Sequence, residues 1–190
     1  MGRLCFLDLE TGGLRVEQPI IQIAAIAVDG DWNEVESLEF KIAFDPARCD
    51  AEALAINHYT AEAWADAVPE AVAVSNLAAF LNRHRSVELV SKRTGRPYSV
   101  ARVAGHNASF DLDRLSALFK RYDTFFPVDF GSVLDTRFGA IWHGERTGKR
   151  PANHRLVTLA EHHGIPVAGA HDALVDVRLS IALARVLVAA

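Results

Sequence analysis

Residues 3 to 13 read Arg-Leu-Cys-Phe-Leu-Asp-Leu-Glu-Thr-Gly-Gly, an apolar stretch with two acids that ends in a glycine turn. The run from Arg3 to Leu9 predicts a first β-strand. Side chains alternate between the faces of a strand, so Asp8 and Glu10 point the same way. Two adjacent carboxylates in an apolar strand need compensation, and a divalent cation supplies it. A strand end that emerges into solvent is the alternative explanation for this pair alone.

The sequence on either side of this strand predicts a mixed α/β sheet. Strands are expected at Ile20 to Val28 and Glu34 to Phe44, in an antiparallel meander with the first, and later at Ser99 to Gly105 and Ser132 to Asp135. The predicted helices span residues 70–85, 109–122, 156–163 and 172–188. The expected architecture is a five-stranded mixed sheet flanked by helices, in a single domain over residues 1–190.

A second cluster of polar residues joins the predicted fourth strand to a helix. Residues 105 to 111 read Gly-His-Asn-Ala-Ser-Phe-Asp. Open α/β sheets place their ligands at the carboxyl ends of strands. Asp111 falls in the first helical turn, where free N–H groups stabilise a carboxylate. Taken alone, Asp111 is explained better as an ordinary charge at a helix start.

A third cluster begins the last predicted helix, where residues 171 to 176 read His-Asp-Ala-Leu-Val-Asp. Positions five apart on a helix are separated by about 140°, so His171 and Asp176 cannot share a helical face. We therefore predict that His171 lies on the preceding loop, where a histidine can accept a proton beside a site that Asp176 enters. Taken alone, this cluster is explained better as a capped helix with a surface histidine.

The charges are unevenly distributed in a chain whose net charge of −4 gives no overall attraction to nucleic acid. Two segments are basic and are either nucleic-acid contacts or solvated loops. The segment from Glu88 to Arg102 is expected to form a protruding hairpin. The basic residues are Arg83, Arg85, Lys92, Arg93, Arg96 and Arg102 in the first segment, and Arg146, Lys149, Arg150 and Arg155 in the second.

Composition limits the remaining possibilities. Cys5 and Cys49 are too few for a disulfide framework or a zinc cluster. No apolar run is long enough for a membrane helix, and the amino terminus does not resemble a signal peptide. We therefore expect a cytoplasmic protein that has no membrane contact.

The three clusters, in this order and spacing, resemble the three motifs of the DEDDh exonucleases. This family has the ribonuclease-H-like fold and includes the epsilon proofreading subunit of DNA polymerase III and ribonuclease T. The resemblance extends from Leu4 to Leu183. It implies a 3′→5′ exonuclease that hydrolyses phosphodiester bonds at nucleic-acid 3′ ends, with single-stranded DNA as the expected substrate, and releases nucleoside 5′-monophosphates.

Roles for individual residues follow from the same resemblance. His171 would act as the general base, and two Mg²⁺ or Mn²⁺ ions would serve a two-metal mechanism. Oxygen-only ligation agrees with these ions rather than zinc. The metal ligands would be Asp8, Glu10, Asp111 and Asp176. The substrate contacts would be Thr11, through its backbone, together with His106, Asn107 and Phe110.

Two alternatives remain open at this point. The chain is either a DNA exonuclease or an RNA-trimming enzyme of the same family, because discrimination depends on how the site treats a 2′-hydroxyl. A catalytically inactive nucleic-acid-binding module is the other alternative, although all five expected catalytic residues are present. Asn57 to Thr60 departs from the small glycine-containing turn of many relatives. The sequence determines neither the oligomeric state nor a polymerase partner.

Overall fold

A computed structural model describes residues 2–189, which form a six-stranded sheet with helices on both faces. No helix among these residues is both long and apolar enough to cross a membrane. The strands are β1 (Leu4–Thr11), β2 (Ile20–Val28), β3 (Glu34–Lys41), β4 (Arg85–Val90), β5 (Pro97–Gly105) and β6 (Leu134–Asp135). The helices are α1 (Ala51–Ile56), α2 (Glu70–Arg83), α3 (Ala108–Arg121), α4 (Thr136–Thr147), α5 (Leu156–His162) and α6 (Ala173–Ala189).

The strand order is β3-β2-β1-β5-β4, with β6 also paired to β5. The meander β1-β2-β3 is antiparallel, as expected for strands joined by short turns. The strand β5 lies parallel to β1, with Phe6 opposite Ala104. The carboxyl ends of β1 and β5 therefore lie at the same edge of the sheet, which brings the first and second sequence clusters together.

The alternation of β1 divides the core into two layers. Cys5, Leu7 and Leu9 are buried in the layer that contains α2 and α3. Phe6 is buried on the other face, beneath Val177 of α6. Asp8 and Glu10 continue the Phe6 side of the strand, so they lie on the face covered by α6. Along this face of β1, the apolar contact with α6 is therefore followed by two acids.

The predicted fold class is confirmed, but, besides the short helix α1, two elements escaped the sequence analysis. One is β4, a polar edge strand whose side chains are largely exposed, so the prediction of five strands was one too few. The other is α4, in which Gly139, Gly144 and the exposed Trp142 obscure the apolar periodicity. The segment expected to form a hairpin does so, as the β4–β5 pair.

Candidate active site

Carboxylates from two elements meet at the carboxyl end of β1. Asp8 and Glu10 on β1 and Asp176 on α6 each offer an oxygen, and these oxygens lie within 4.8 Å of one another. Asp111, in the first turn of α3, is buried, and its negative charge acts to raise the pKa of Asp8. All four acids that the motifs predicted are therefore close together at one end of the sheet.

The surroundings of these acids oppose their ionisation. Burial, followed by the charges of Asp176 and Asp172, raises the pKa of Glu10 to about 8. Burial and the charge of Asp111 hold the pKa of Asp8 well above its ordinary value. Among the described residues none of the four acids forms a salt bridge. No salt bridge within the described part of the chain therefore offsets the repulsion among these acids.

Asp176 and Asp111 differ in how their oxygens are satisfied. Burial raises the pKa of Asp176, and one of its oxygens is buried without a hydrogen-bond partner. Burial also raises the pKa of Asp111, but the N–H groups of Asp111 itself and of Leu9 oppose this shift by hydrogen bonding. Asp111 thus has partners at the helix start, whereas Asp176 presents a free oxygen to the cluster.

Arg114 connects α3 to the loop that follows β1. Its guanidinium carbon lies 3.4 Å from the centre of the Phe110 ring. The same group donates to the carbonyl of Phe110 at 3.3 Å and to the carbonyl of Leu14. Arg114 is only 6% exposed and its charge lowers the pKa of Asp111. The sequence analysis did not single out this residue.

The turn after Glu10 is held by contacts on both sides. The Thr11 hydroxyl donates to the carbonyl of Gly13 at 2.9 Å. The Thr11 carbonyl accepts from the amide of buried Asn57 at 3.0 Å. A Cβ atom on Gly12 would collide with the Cys49 sulfur, so packing requires glycine there. Asn57, which the sequence suggested only as a departure from relatives, thus supports the turn.

The start of α6 places His171 and Asp172 differently. His171 is exposed on the loop with φ of 69°, as the helical-angle argument predicted, and its N–H donates to Asp176. Asp172 accepts from the N–H groups of Leu174 and Val175, each at 3.2 Å, and so caps α6. Asp172 also raises the pKa of Glu10, which makes it a fifth acid that the expected set omitted.

His106 and Asn107 are largely engaged by the protein. His106 donates from Nε2 to the carbonyl of His154 at 3.0 Å, because a carbonyl only accepts, and its Nδ1 lies 2.8 Å from the Thr136 hydroxyl. Burial lowers the pKa of His106, in agreement with a neutral ring. The Asn107 side-chain oxygen accepts from Arg137 at 2.9 Å. His106 therefore offers its ring surface, and not a free nitrogen, to a ligand.

A groove of about 1000 Å³ runs past the acids. Asp176 and His171 line it, and two apolar side chains, Phe110 and the 84%-exposed Leu14, also face it. Arg137 and Arg155 contribute positive charge to its wall. The groove thus combines one carboxylate of the acidic cluster with apolar surface and cations, which together can hold a phosphate-containing ligand with flat rings.

The structure is similar to solved structures of exonuclease I. E. coli exonuclease I in complex with a dT13 oligonucleotide has a TM-score of 0.76 and 22% identity, over 98% of this chain and 41% of that one. A product-bound exonuclease I has a TM-score of 0.76 and 23% identity, over 98% of this chain and 43% of the other. A zinc-bound E. coli exonuclease I–ssDNA complex has a TM-score of 0.75 and 23% identity, covering 97% and 40%.

These matches confirm the ribonuclease-H-like fold and show that the structural neighbours come from the group of exonucleases that the motifs resemble. The chain spans about two fifths of the length of exonuclease I. No family model matches the chain, and no curated protein sequence gives a significant match.

Proposed function

We propose that residues 1–190 form one cytoplasmic exonuclease domain that uses divalent metal ions to remove nucleoside 5′-monophosphates one at a time from the 3′ end of single-stranded DNA. The observation that carries this proposal is the convergence of Asp8, Glu10 and Asp176 within 4.8 Å, with Asp176 on the wall of a groove that His171 also lines. The likeness to exonuclease I, solved with single-stranded DNA, supports the choice of substrate.

The donor set fits hard divalent cations. Asp8, Glu10, Asp111 and Asp176 supply oxygen ligands only, which Mg²⁺ and Mn²⁺ prefer. The unpartnered oxygen of Asp176 and the pKa of Glu10, raised to about 8, support this fit, because a bound cation would satisfy the oxygen and favour ionised carboxylates. Four carboxylates suffice for two ions, which when bound stabilise the charge that develops on a phosphoryl group.

The chain's own residues would orient the strand and move the proton. Leu14 and Phe110 would pack against the terminal bases, with Arg114 beneath Phe110. Arg137 and Arg155 would pair with backbone phosphates, which need cations to bind beside an acidic cluster. His171, exposed at the rim, would accept the proton of the attacking water as general base.

Hydrolysis of 5′-labelled oligonucleotides tests the proposal. Single-stranded DNA, duplex DNA and RNA of equal length and matched sequence are incubated with Mg²⁺, with Mn²⁺, or with excess EDTA. We expect progressive shortening from the 3′ end, fastest on single-stranded DNA, and none in EDTA. Asp8→Asn and Asp176→Asn should lower turnover by orders of magnitude, whereas Asp66→Asn, an exposed acid far from the cluster in sequence, should not.

Each other outcome points to a different conclusion. Faster degradation of RNA would replace the DNA assignment with the exoribonuclease alternative. Binding of all three nucleic acids without hydrolysis in either metal would show that the domain is a catalytically inactive nucleic-acid-binding module. Hydrolysis that survives excess chelator would refute the metal dependence.

A further inference from the structure

The hairpin of β4 and β5 carries a groove that the proposed active site does not use. Its turn is closed by hydrogen bonds from Ser91 N–H to the Arg96 carbonyl, at 3.0 Å, and from Gly95 N–H to the Ser91 carbonyl, at 2.8 Å. Gly95 has φ of 68°, a conformation that glycine adopts at no steric cost. The groove beside this turn has a volume of about 780 Å³. We call it the hairpin groove.

The hairpin groove is positively charged. Lys92, Arg93 and Arg96 line it and are exposed, and no acidic residue lines it. None of these three cations forms a salt bridge with any residue between 2 and 189. Three uncompensated cations together in a chain of net charge −4 leave a local charge opposite to that of the whole protein. Charge complementarity therefore favours an anionic occupant.

Two aromatic rings lie beside the cations. Tyr98 is 39% exposed and Phe125 is 65% exposed, and their ring centres are 6.1 Å apart in an edge-to-face arrangement. Both rings line the hairpin groove. Cations that track a backbone, next to exposed aromatic rings on which bases stack, are the features that bind single-stranded nucleic acid without sequence preference.

The position of the groove separates it from the acidic cluster. The strand β5 runs from Pro97 at the hairpin to Gly105, beside the acids, and β1 lies parallel to it. Tyr98 and Gly105 are seven residues apart, or about 23 Å along a strand. A stacked nucleic-acid strand rises about 3.4 Å per nucleotide, so roughly seven nucleotides separate the two places.

We propose that the hairpin groove is a second binding surface for single-stranded nucleic acid, which holds a strand several nucleotides away from its 3′ end. Lys92, Arg93 and Arg96 contact phosphates, and Tyr98 and Phe125 stack with bases. This surface goes beyond the proposed exonuclease activity, because its binding needs neither metal nor hydrolysis.

Fluorescence anisotropy with the whole chain in EDTA tests this surface apart from catalysis. The probes are 5′-labelled oligonucleotides of dT and of rU, each 4 and 20 nucleotides long, titrated at several salt concentrations. We compare Lys92→Ser/Arg93→Ser with Arg121→Ser/Arg178→Ser, which removes the same charge from exposed positions that have no proposed contact with nucleic acid. The hairpin variant should bind the 20-nucleotide probes more weakly. The slope of log K against log salt concentration should become shallower by about 1.4, which is 0.7 for each of two lost phosphate contacts. The control should change neither.

A second variant separates stacking from charge. Tyr98→Ser should weaken binding of the 20-nucleotide probes by about tenfold while the salt slope stays the same. If the dT and rU probes lose affinity equally in these variants, the surface recognises what DNA and RNA share, namely the phosphates and the faces of the bases. In Mg²⁺, the charge variant should raise KM for the 20-nucleotide strand and leave hydrolysis of the 4-nucleotide strand unchanged.

Several results would overturn the inference. Equal losses of affinity in the hairpin and control variants would mean that only the overall charge of the protein matters. Wild-type affinity in the hairpin variant would show that the hairpin groove does not bind nucleic acid. Displacement of dT by an acidic peptide at lower concentration than by unlabelled dT would assign the groove to a protein partner. A chain that hydrolyses no nucleic acid would refute the proposed function, yet the measurements in EDTA would still decide on the hairpin groove.

Discussion

His171 is exposed on the loop before α6, where its backbone N–H donates to Asp176 while its side chain faces the groove. If the imidazole only accepts a proton, His171→Ala should bind Mn²⁺ as the wild type does but lose about 10²- to 10⁴-fold in kcat. Calorimetric titration of Mn²⁺ and single-turnover hydrolysis of a labelled strand measure the two quantities separately.

The matched control for this residue is His58→Ala, which removes another exposed histidine with positive φ. It should leave both kcat and Mn²⁺ affinity unchanged. Loss of Mn²⁺ binding in His171→Ala would make the imidazole a metal ligand. An unaltered rate would exclude it from the reaction.

Arg114 holds two residues of the groove wall, Leu14 and Phe110, in place. Its hydrogen bonds to the carbonyls of Leu14 and Phe110 connect the loop after β1 to α3. Hydrogen bonds to charged groups contribute about 1.5 to 3 kcal/mol, so Arg114→Met should lower kcat/KM on single-stranded DNA by roughly 10- to 100-fold. We expect most of the loss in KM, because Leu14 and Phe110 position the strand and do not take part in the chemistry.

Arg121→Met is the control on the same helix, since Arg121 is exposed and pairs with Glu70. It should change kcat/KM little, as expected for a surface pair. A fall in kcat of Arg114→Met with KM unaltered would contradict the positioning role. Arg114→Lys keeps the charge without the forked geometry, and recovery of wild-type KM in that variant would show that charge alone is sufficient.

The amino terminus of α6 combines helix capping with electrostatic repulsion. Asp172 caps the helix and also raises the pKa of Asp8 and Glu10 by its charge. Asp172→Ala should lower the free energy of unfolding in EDTA by about 1 kcal/mol, because a capping side chain is lost. Asp172→Asn keeps a capping oxygen and removes the charge, so it should be more stable than Asp172→Ala.

Urea unfolding of the three proteins at pH 8 in EDTA measures this difference. The Gln22 amide donates at 3.1 Å to the Asp172 oxygen that does not cap the helix, so both variants lose this contact and the difference between them measures the cap. Equal destabilisation by both substitutions would show that the negative charge, and not the cap, is what the helix requires.

The stability of the whole chain should depend on pH through the acidic cluster. The pKa of Glu10 is about 8 in the folded state, against an ordinary value of 4.5, so the folded state holds the proton more tightly than the unfolded state. The stabilisation is present below pH 4.5 and is lost as pH rises through 8. In EDTA we therefore expect the melting temperature to fall between pH 5 and pH 9.

Saturating Mn²⁺ should remove or reverse this trend, because a bound cation favours the ionised carboxylates. Differential scanning calorimetry across this pH range, with and without Mn²⁺, measures it. Glu10→Gln should flatten the decline in EDTA. An equally steep decline in that variant would place the pH dependence on groups other than Glu10.

The sequence by itself determined the parts of this protein that local periodicity encodes. Alternation along β1 predicted that Asp8 and Glu10 share a face, and the helical angle predicted that His171 lies outside α6. The order of strands and helices followed from the same patterns, apart from α1, β4 and α4. The three motifs also predicted which fold family the structure would resemble, and the exonuclease I structures confirm that fold.

Tertiary structure alone decided how these residues are supported and what else lies near them. Asn57 contacts Thr11 across 46 positions of the chain, and Arg114 contacts Leu14 across 100. Asp172 adds its charge to acids on β1 only because α6 packs across that strand. Such contacts depend on how elements that are distant in sequence pack against each other. The periodicities of strands and helices, two and 3.6 residues, show only which side chains of one element share a face.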